Sequence, residues 1–421
     1  MKRSILTIFL LAIVVDAYYF DFTFRVFPIA NSKMILAVIG VIAFVYKGIR
    51  DRKIQISKRV LISAILALTF SLWCYFAIVA NGSNEREFVT YFVSFATWLG
   101  GAYGTYAIIK TKFDQVDLML ITFLLAIVCV SQCAIALIID NVPFVRNLVD
   151  SVFLQTTEFY ERGGRLYGIG CALDPAGVRF SGVQVLIAHQ LAKEERVRKD
   201  VGKSTFLFIS FLVITIIGSM ISRTTIVGTS LGLGYIVFTN FEIHRGGFVS
   251  KLQINSTLLL LGLIGCAVFI SAYLYRSNAA FHDNLRFGFE GFFNWAETGE
   301  FRTGSTDHLQ TMWVWPKTQR GWIIGEGRVG VFQTNSDIGY CNYIIYCGLI
   351  GMVIYSAYYI FNHLSLISKF RYFTITALLL VAVTFIVWAK VTTDIFLVDA
   401  LLFCIDGDIL PPRKSEEPVS S

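Results

Sequence analysis

Runs of apolar residues, each close to the length needed to cross a lipid bilayer, recur along the whole chain. A helix spans the hydrocarbon core with about 20 apolar residues. Twelve runs approach this length; the second and eighth are short, and the sixth is interrupted by charged residues and glycines. They lie at 4–22, 33–46, 60–80, 88–109, 117–140, 167–191, 204–222, 224–240, 254–275, 338–361, 372–389 and 392–409. We therefore predict an all-α, polytopic integral membrane protein with about 12 transmembrane helices, one of them broken or re-entrant.

Composition excludes most soluble classes. Hydrophobic residues make up 55% of the chain and charged residues only 15%, whereas a soluble domain carries about 25% charged residues. A disordered chain, a disulfide scaffold, a nucleic-acid-binding domain and a conventional soluble enzyme are therefore excluded. The net charge of +7 does not indicate a nucleic-acid partner, because lysines and arginines lie in short clusters between apolar runs. None of the eight cysteines forms a CxxC pair, so we expect no metal and no cofactor.

The distribution of basic residues predicts the orientation. Lysines and arginines concentrate in alternate connections, most densely at 47–59 and 193–203, and such connections face the cytoplasm. Both termini are then cytoplasmic. We predict a transmembrane helical domain at 1–409, a large outer loop inserted at 276–336, and a short cytoplasmic tail at 410–421. Any chemistry is expected at the outer face, where the large loop and a second segment, 141–166, meet the spans.

Charges within or beside apolar runs are the first candidates for function, because a charge at membrane depth is costly. The sixth run contains Asp174, Pro175 and Arg179 and begins after Arg165. This composition favours a half-inserted broken helix that lines an outward-facing cavity. The alternative is a long outer loop on the surface, in which Asp174 and Arg179 are simply solvated.

Arg223 lies between two apolar runs in a connection too short to be a free loop. A guanidinium there can hold an anionic group through two parallel hydrogen bonds, or it can act as a snorkelling anchor for lipid phosphates. Four outer-face arginines are candidates to converge on one diphosphate. They are Arg165, Arg179, Arg223 and Arg302.

Asp337 opens the tenth run. A carboxylate at a helix N-terminus can cap backbone N–H groups, and one at a cavity rim can serve as a general base toward a sugar hydroxyl. The two roles are compatible. His308 and Glu326, both in the large outer loop, are the next candidates for a catalytic group.

Taken together, these segments resemble the family of O-antigen polymerases and O-antigen ligases. The similarity covers about residues 160–355 and the overall twelve-span plan, and it depends on the order of three short patterns. These are Arg165-Leu-Tyr-Gly168 with Asp174-Pro175-Ala176, then Ser222-Arg223-Thr-Thr, then a loop in which Arg302, Trp313 and Gly325-Glu-Gly327 precede a span containing Gly348-Leu-Ile-Gly351. Ligases of the family typically show a histidine where this chain has Asp337, which favours a polymerase.

The resemblance implies an inverting glycosyltransferase at the periplasmic face of the bacterial inner membrane. Its donor would be an undecaprenyl-diphosphate-linked oligosaccharide, and Arg165, Arg179, Arg223 and Arg302 would bind the diphosphate. Asp337 would be the base, with His308 and Glu326 as further catalytic candidates. Expected partners are membrane lipid, a chain-length regulator and a flippase, without nucleic acid. Two alternatives stay open: a ligase that transfers the glycan to lipid A-core, and a transporter or flippase of the same lipid-linked sugars.

Overall fold

The structure is a computed structural model that describes residues 5–154, 165–245, 251–330 and 334–408. The chain is about 75% helical. The first nine helices are α1 (Ile5–Tyr19), α2 (Ser32–Arg50), α3 (Lys58–Asn81), α4 (Tyr91–Lys110), α5 (Leu118–Asn141), α6 (Pro143–Val152), α7 (Leu173–Lys193), α8 (Glu195–Arg198) and α9 (Val201–Ile221), the last containing a π-helical turn at Ile214–Gly218. The others are α10 (Thr225–Arg245), α11 (Lys251–Ser277), α12 (Ala279–Gly288), α13 (Glu290–Thr298), α14 (Gly304–Thr311), α15 (Gln319–Ile324), α16 (Gly339–Ser365), α17 (Thr374–Trp388) and α18 (Phe396–Cys404).

A two-stranded antiparallel sheet separates α1 from α2. It consists of β1 (Thr23–Phe24) and β2 (Phe27–Asn31). Phe24 also pairs with Phe153, just after α6, and the two rings stack with centroids 5.4 Å apart. This small sheet therefore joins the connection after α1 to the connection after α6.

Each of the twelve predicted segments contains a helix, which confirms the helical fold class. Within the described residues, five helices are long and apolar enough to cross a membrane, namely Ser32–Arg50, Lys58–Asn81, Leu118–Asn141, Val201–Ile221 and Gly339–Ser368. Ile5–Tyr19, Thr225–Thr239 and Thr374–Trp388 are shorter apolar helices. The total of twelve spans stays a prediction.

Ion pairs near the ends of the helices show which helix ends lie together. Arg196 forms an ion pair with Asp117 at 2.8 Å, and Lys110 forms one with Asp406 at 2.7 Å. Lys110 and Arg196 lie in connections predicted to face the cytoplasm, and Asp117 and Asp406 lie at the ends of predicted spans that adjoin such connections. Segments assigned to the outer side meet at the cavity described below. Contacts of this kind show which ends lie together, whereas the side that faces the cytoplasm stays a prediction.

The predicted break in the sixth run is wrong. Helix α7 continues without interruption from Leu173 to Lys193, and Pro175 lies in its first turn. Proline is tolerated there because the first N–H groups of a helix have no intrahelical acceptor. The preceding residues from 167 to 172 form an irregular segment, in which Gly170 adopts a positive φ of 65° and packs against the backbone of Phe20.

A break does occur in the tenth segment, at Gly348 of α16, where φ is 68° and ψ is −177°. Carbonyl groups freed there accept hydrogen bonds from outside the helix. Ile345 O accepts from the Glu326 N–H at 2.6 Å, and Tyr346 O accepts from the Gly327 N–H at 3.1 Å. Cys347 O accepts from the Trp73 indole at 2.7 Å. The outer loop is thus bonded directly to the broken span, which satisfies backbone groups that lipid cannot.

The start of α10 is held tightly against α7. Ser181 donates a hydrogen bond to Thr224 O at 3.0 Å and accepts one from the Gly228 N–H at 3.1 Å. A Cβ atom at Gly228 would lie only 2.2 Å from the Ser181 Cα, so only glycine allows this approach. Small residues serve this purpose between membrane helices. The packing fixes the position of Arg223 relative to α7.

Candidate functional site

A cavity of about 340 Å³ lies where the N-terminal ends of α7 and α16, the α9–α10 connection and the C-terminal end of α17 meet the loop helices α12 and α14. Its volume is within the range of about 300–1,000 Å³ that is usual for ligand sites. Six charged or titratable side chains line it. They are Arg165, Asp174, Arg223, His308, Asp337 and Lys390.

Asp174 holds three elements of the cavity together. Its carboxylate accepts hydrogen bonds from Lys390 Nζ at 2.7 Å, from Thr224 Oγ1 at 2.6 Å and from Ser222 Oγ at 3.2 Å. Because Asp174 is in the first turn of α7, its charge also suits the positive end of the helix dipole. The Asp174–Lys390 pair therefore links α7, the start of α10 and the end of α17.

The Arg223 guanidinium points toward the outer loop. It donates to the Phe287 carbonyl at 3.0 Å and to Ser305 Oγ at 3.0 Å, and it pairs with Glu290 at 2.7 Å. Its side chain is only 17% exposed. Burial lowers the pKa of Arg223, and Glu290 opposes this shift, but an arginine stays protonated at physiological pH. In the structure the guanidinium contacts protein groups on the outer loop, as the anion-binding interpretation requires of an inward-facing arginine, and this disfavours a snorkelling anchor.

Phe287 lies close to two of the cations. Its ring centroid is 4.1 Å from the Arg223 guanidinium carbon and 4.9 Å from that of Arg165, both within the cation–π range. Within the described part of the chain, Arg165 forms no ion pair with a carboxylate. Two guanidinium groups near one ring concentrate positive charge on this side of the cavity.

Asp337, which directly precedes the N-cap residue of α16, and His308 of α14 line the same cavity. Burial is the main cause that raises the pKa of Asp337 above its ordinary value, and the negative charge of Asp174 adds to it. His308 and Lys390 act in the opposite direction. The predicted capping role of Asp337 is wrong, since Ile338 is the N-cap residue of α16 and makes no side-chain capping hydrogen bond.

Arg179 lies outside the cavity. It pairs with Asp21 at 2.8 Å, and Lys33 approaches the same carboxylate at 3.3 Å. The Lys33 ammonium lies 3.8 Å from the centroid of the Trp98 ring. We call Asp21, Lys33 and Arg179 the Asp21 cluster. The cluster joins α7 to α2 and to the segment after α1.

Arg302 and Glu326 also lie outside the cavity. Arg302 is exposed and pairs with Glu300 at 3.3 Å and with Asp307 at 3.2 Å. Glu326 pairs with Arg328, and its backbone N–H bonds to the broken span. Of the seven residues that the sequence nominates, the structure brings together Arg165, Arg223, His308 and Asp337.

Sequence reasoning missed two charged residues at the site. Lys390 lies in the short gap between the last two apolar runs. Because this gap is too short for a free loop, the lysine is a candidate for a position at the membrane interface, and the sequence could have indicated it. Glu290 is one of several acidic residues in the outer loop. No pattern in the sequence distinguishes Glu290 from the others.

Comparison of the chain with protein-family models, with curated proteins and with solved structures finds no match. Among the described residues, no group of three or more His, Cys, Asp or Glu side chains is arranged to hold a metal ion. The chemistry of the cavity must therefore be judged from its own residues. Three cations beside a carboxylate with a raised pKa suit an anionic substrate that also undergoes proton transfer.

Proposed function

We propose that the protein is a membrane glycosyltransferase, an O-antigen polymerase that joins undecaprenyl-diphosphate-linked repeat units at the periplasmic face with inversion. The observation that carries the proposal is the convergence of Arg165, Arg223 and Asp337, which are distant in the sequence, on one cavity. A donor with a long polyprenyl tail stays in the membrane. Its sugar–diphosphate junction is then at the interface, the level at which this cavity is predicted to lie.

The cations act on the leaving group. As the bond between the anomeric carbon and the diphosphate oxygen breaks, its electron pair moves to that oxygen. Arg165 and Arg223 are positioned to stabilise the developing negative charge, and a guanidinium already in place does so without reorganisation. Lys390 supplies further positive charge, although Asp174 offsets most of it.

Asp337 acts on the acceptor. Its carboxylate takes the proton from the acceptor hydroxyl as the hydroxyl oxygen bonds to the anomeric carbon, on the face opposite the leaving diphosphate. Attack from this face inverts the configuration. A raised pKa makes the carboxylate a stronger base than an ordinary aspartate, which suits general base catalysis.

Binding of the donor requires Arg223 to exchange one anion for another. Glu290 on α13 occupies the guanidinium in the structure, and a phosphate group offers the same bidentate geometry. In our proposal the diphosphate replaces Glu290, so α13 moves or releases its side chain when the donor binds.

The test is a gene deletion complemented with variants, followed by gel analysis of the surface polysaccharide and of extracted lipid-linked precursors. The variants are Arg223→Lys and Asp337→Asn, with Arg302→Ala as the control, because Arg302 is an exposed arginine of the outer loop that lies outside the cavity. Single repeats without a long-chain ladder, both in the deletion and in the two cavity variants, would support the polymerase. Long chains stranded on the carrier would indicate the ligase, and an unchanged ladder in the deletion would overturn the glycan assignment.

A transporter of the same lipid-linked sugars is the second candidate. The Asp21 cluster favours it, because ion pairs between spans are typical of transport pathways. The two functions predict different precursors. Loss of a polymerase leaves repeat units accessible to a membrane-impermeant sugar-oxidising label at the outer face, whereas loss of a flippase leaves them inaccessible.

A further inference from the structure

An apolar groove of about 420 Å³ lies between α2, α3 and α4, and the C-terminal end of α18 forms part of its wall. Phe44, Val60 and Leu99 line its length. Helices α2 and α4 approach so closely beside it that a Cβ atom at Gly40 would lie 2.0 Å from the Gly100 carbonyl oxygen. The shape of the groove is therefore set by the packing of the helix backbones and not by mobile surface side chains.

One end of the groove is formed by the α2–α3 connection, through Gln55, Ile56 and Ser57. Residues 47–59 around this end contain six cations and one carboxylate. Two of the cations have partners: Arg50 pairs with Asp51 at 2.9 Å, and Arg59 donates to Ser368 at 2.9 Å. The other four, Lys47, Arg52, Lys53 and Lys58, are exposed and form no ion pair with any described residue.

We propose that this groove binds one acyl chain of an anionic glycerophospholipid, whose phosphate lies at the end of the groove beside the basic residues of 47–59. The apolar wall suits an acyl chain, but a chain gains little by leaving the bilayer, because lipid tails are as apolar as the groove. Selectivity must therefore come from the headgroup. Basic residues beside a span attract anionic headgroups at the cytoplasmic surface, which is the side to which residues 47–59 are assigned.

This lipid is distinct from the glycan donor. The groove opens at residues 55–57, among segments assigned to the inner side, whereas the cavity with Arg223 and Asp337 is formed by segments assigned to the outer side. The proposed lipid site does not depend on the proposed glycosyltransferase, since it requires only the groove and the basic connection.

The experiment measures which lipids stay bound to the full-length protein. The protein is reconstituted in nanodiscs of mixed phosphatidylcholine and phosphatidylglycerol and is released from them in the mass spectrometer. The lipids that stay bound are identified by their mass. We expect phosphatidylglycerol to be retained over phosphatidylcholine by roughly tenfold or more at low salt. High salt should reduce this preference, because it screens exposed charges.

Two variants test the two parts of the site. Arg52→Ser/Lys53→Ser/Lys58→Ser should remove most of the preference for phosphatidylglycerol, and Ala96→Phe, which fills the groove from its exposed side, should reduce retention of both lipids. The matched control is Arg198→Ser/Lys199→Ser/Lys203→Ser, which removes the same charge from another predicted inner segment and should leave the preference unchanged. Equal retention of both lipids by the unchanged protein would overturn the proposal, and so would an undiminished preference for phosphatidylglycerol in the triple variant at residues 52, 53 and 58. A dimer released without bound lipid would also overturn it, because a second copy of the chain would then cover the groove.

Discussion

Two arginines, Arg223 and Arg179, are each largely buried and each bound to a carboxylate, yet their surroundings differ. The partner of Arg179 is Asp21, in the connection after α1, which also holds Lys33 of α2, and all three side chains are no more than 16% exposed. The partner of Arg223 is Glu290, on a loop helix outside the bundle. An ion pair between packed elements fixes them together, whereas an ion pair with a loop can be exchanged for another anion. We therefore assign a structural role to the Asp21 cluster and a functional role to the cavity.

The largest expected effect tests the structural half of this comparison. Asp21→Ala leaves the charges of Arg179 and Lys33 without a carboxylate, and breaking a buried pair in this way costs about 3–5 kcal/mol of folding free energy. We expect a lower midpoint of thermal unfolding in detergent and a lower yield. Turnover per folded molecule should stay near normal.

Lys33→Met serves as the matched control for Asp21→Ala, because it removes one cation and leaves the Asp21–Arg179 pair intact. It should cost clearly less stability than Asp21→Ala. If Asp21→Ala leaves the midpoint of thermal unfolding unchanged and abolishes turnover, the Asp21 cluster is functional and the comparison fails.

The second prediction tests the functional half. Arg223→Lys keeps the charge but loses the planar fork that binds two oxygens at once. Losing one preorganised electrostatic contact lowers turnover by roughly 10²–10³-fold. The measurement is the rate of chain extension with purified lipid-linked repeat units, with the unfolding midpoint measured in parallel. Normal turnover by a folded Arg223→Lys protein would remove the bidentate role.

A third prediction follows from the carboxylates of the cavity. Asp337 is active as a base only when deprotonated, so turnover should be present above its pKa and fall as the pH drops through it. Because burial and the charge of Asp174 raise this pKa, the acidic limb of the pH–rate profile should lie above the ordinary carboxyl value of 3.8. Below the limb, turnover should fall about tenfold per pH unit.

Asp174→Asn shows whether the two carboxylates are coupled. The change removes a negative charge near Asp337 and leaves the Lys390 ammonium uncompensated, and both effects lower the pKa of Asp337. The acidic limb should therefore move to lower pH. If the acidic limb of the pH–rate profile stays in place in Asp174→Asn, or persists unchanged in Asp337→Asn, the titration belongs to another group.

Sequence reasoning located the helices well because apolar runs of bilayer length have few other structures available. It also placed Arg165, Arg223, His308 and Asp337 at the same end of the bundle, where the structure joins them. It could not separate Arg179 from Asp174. Five residues along an α-helix turn about 140° around its axis, so one side chain faces the cavity and the other faces the Asp21 cluster.

The break at Gly348 and the role of Glu290 were beyond the sequence for a different reason. Gly348 lies in an apolar run whose sequence does not differ from that of an unbroken helix. The break in the helix there depends on backbone N–H donors from the loop around Glu326. Glu290 becomes important only because α13 places it beside Arg223. Both features result from contacts between distant segments, which periodicity and local composition do not encode.

The smallest expected effect concerns the exchange at Arg223. Glu290→Gln removes the competing charge but keeps the size and a hydrogen-bonding oxygen, so the donor no longer displaces a carboxylate. A partly exposed ion pair is worth about 1 kcal/mol or less, and we expect the KM for the donor to fall by roughly threefold with little change in kcat. Glu297→Gln is the matched control, since Glu297 lies on the same helix as Glu290 but pairs with Arg286 of α12 outside the cavity. A higher KM in Glu290→Gln would mean that Glu290 holds Arg223 in the orientation that binds the donor, and the loop carboxylate would then be a positioning residue.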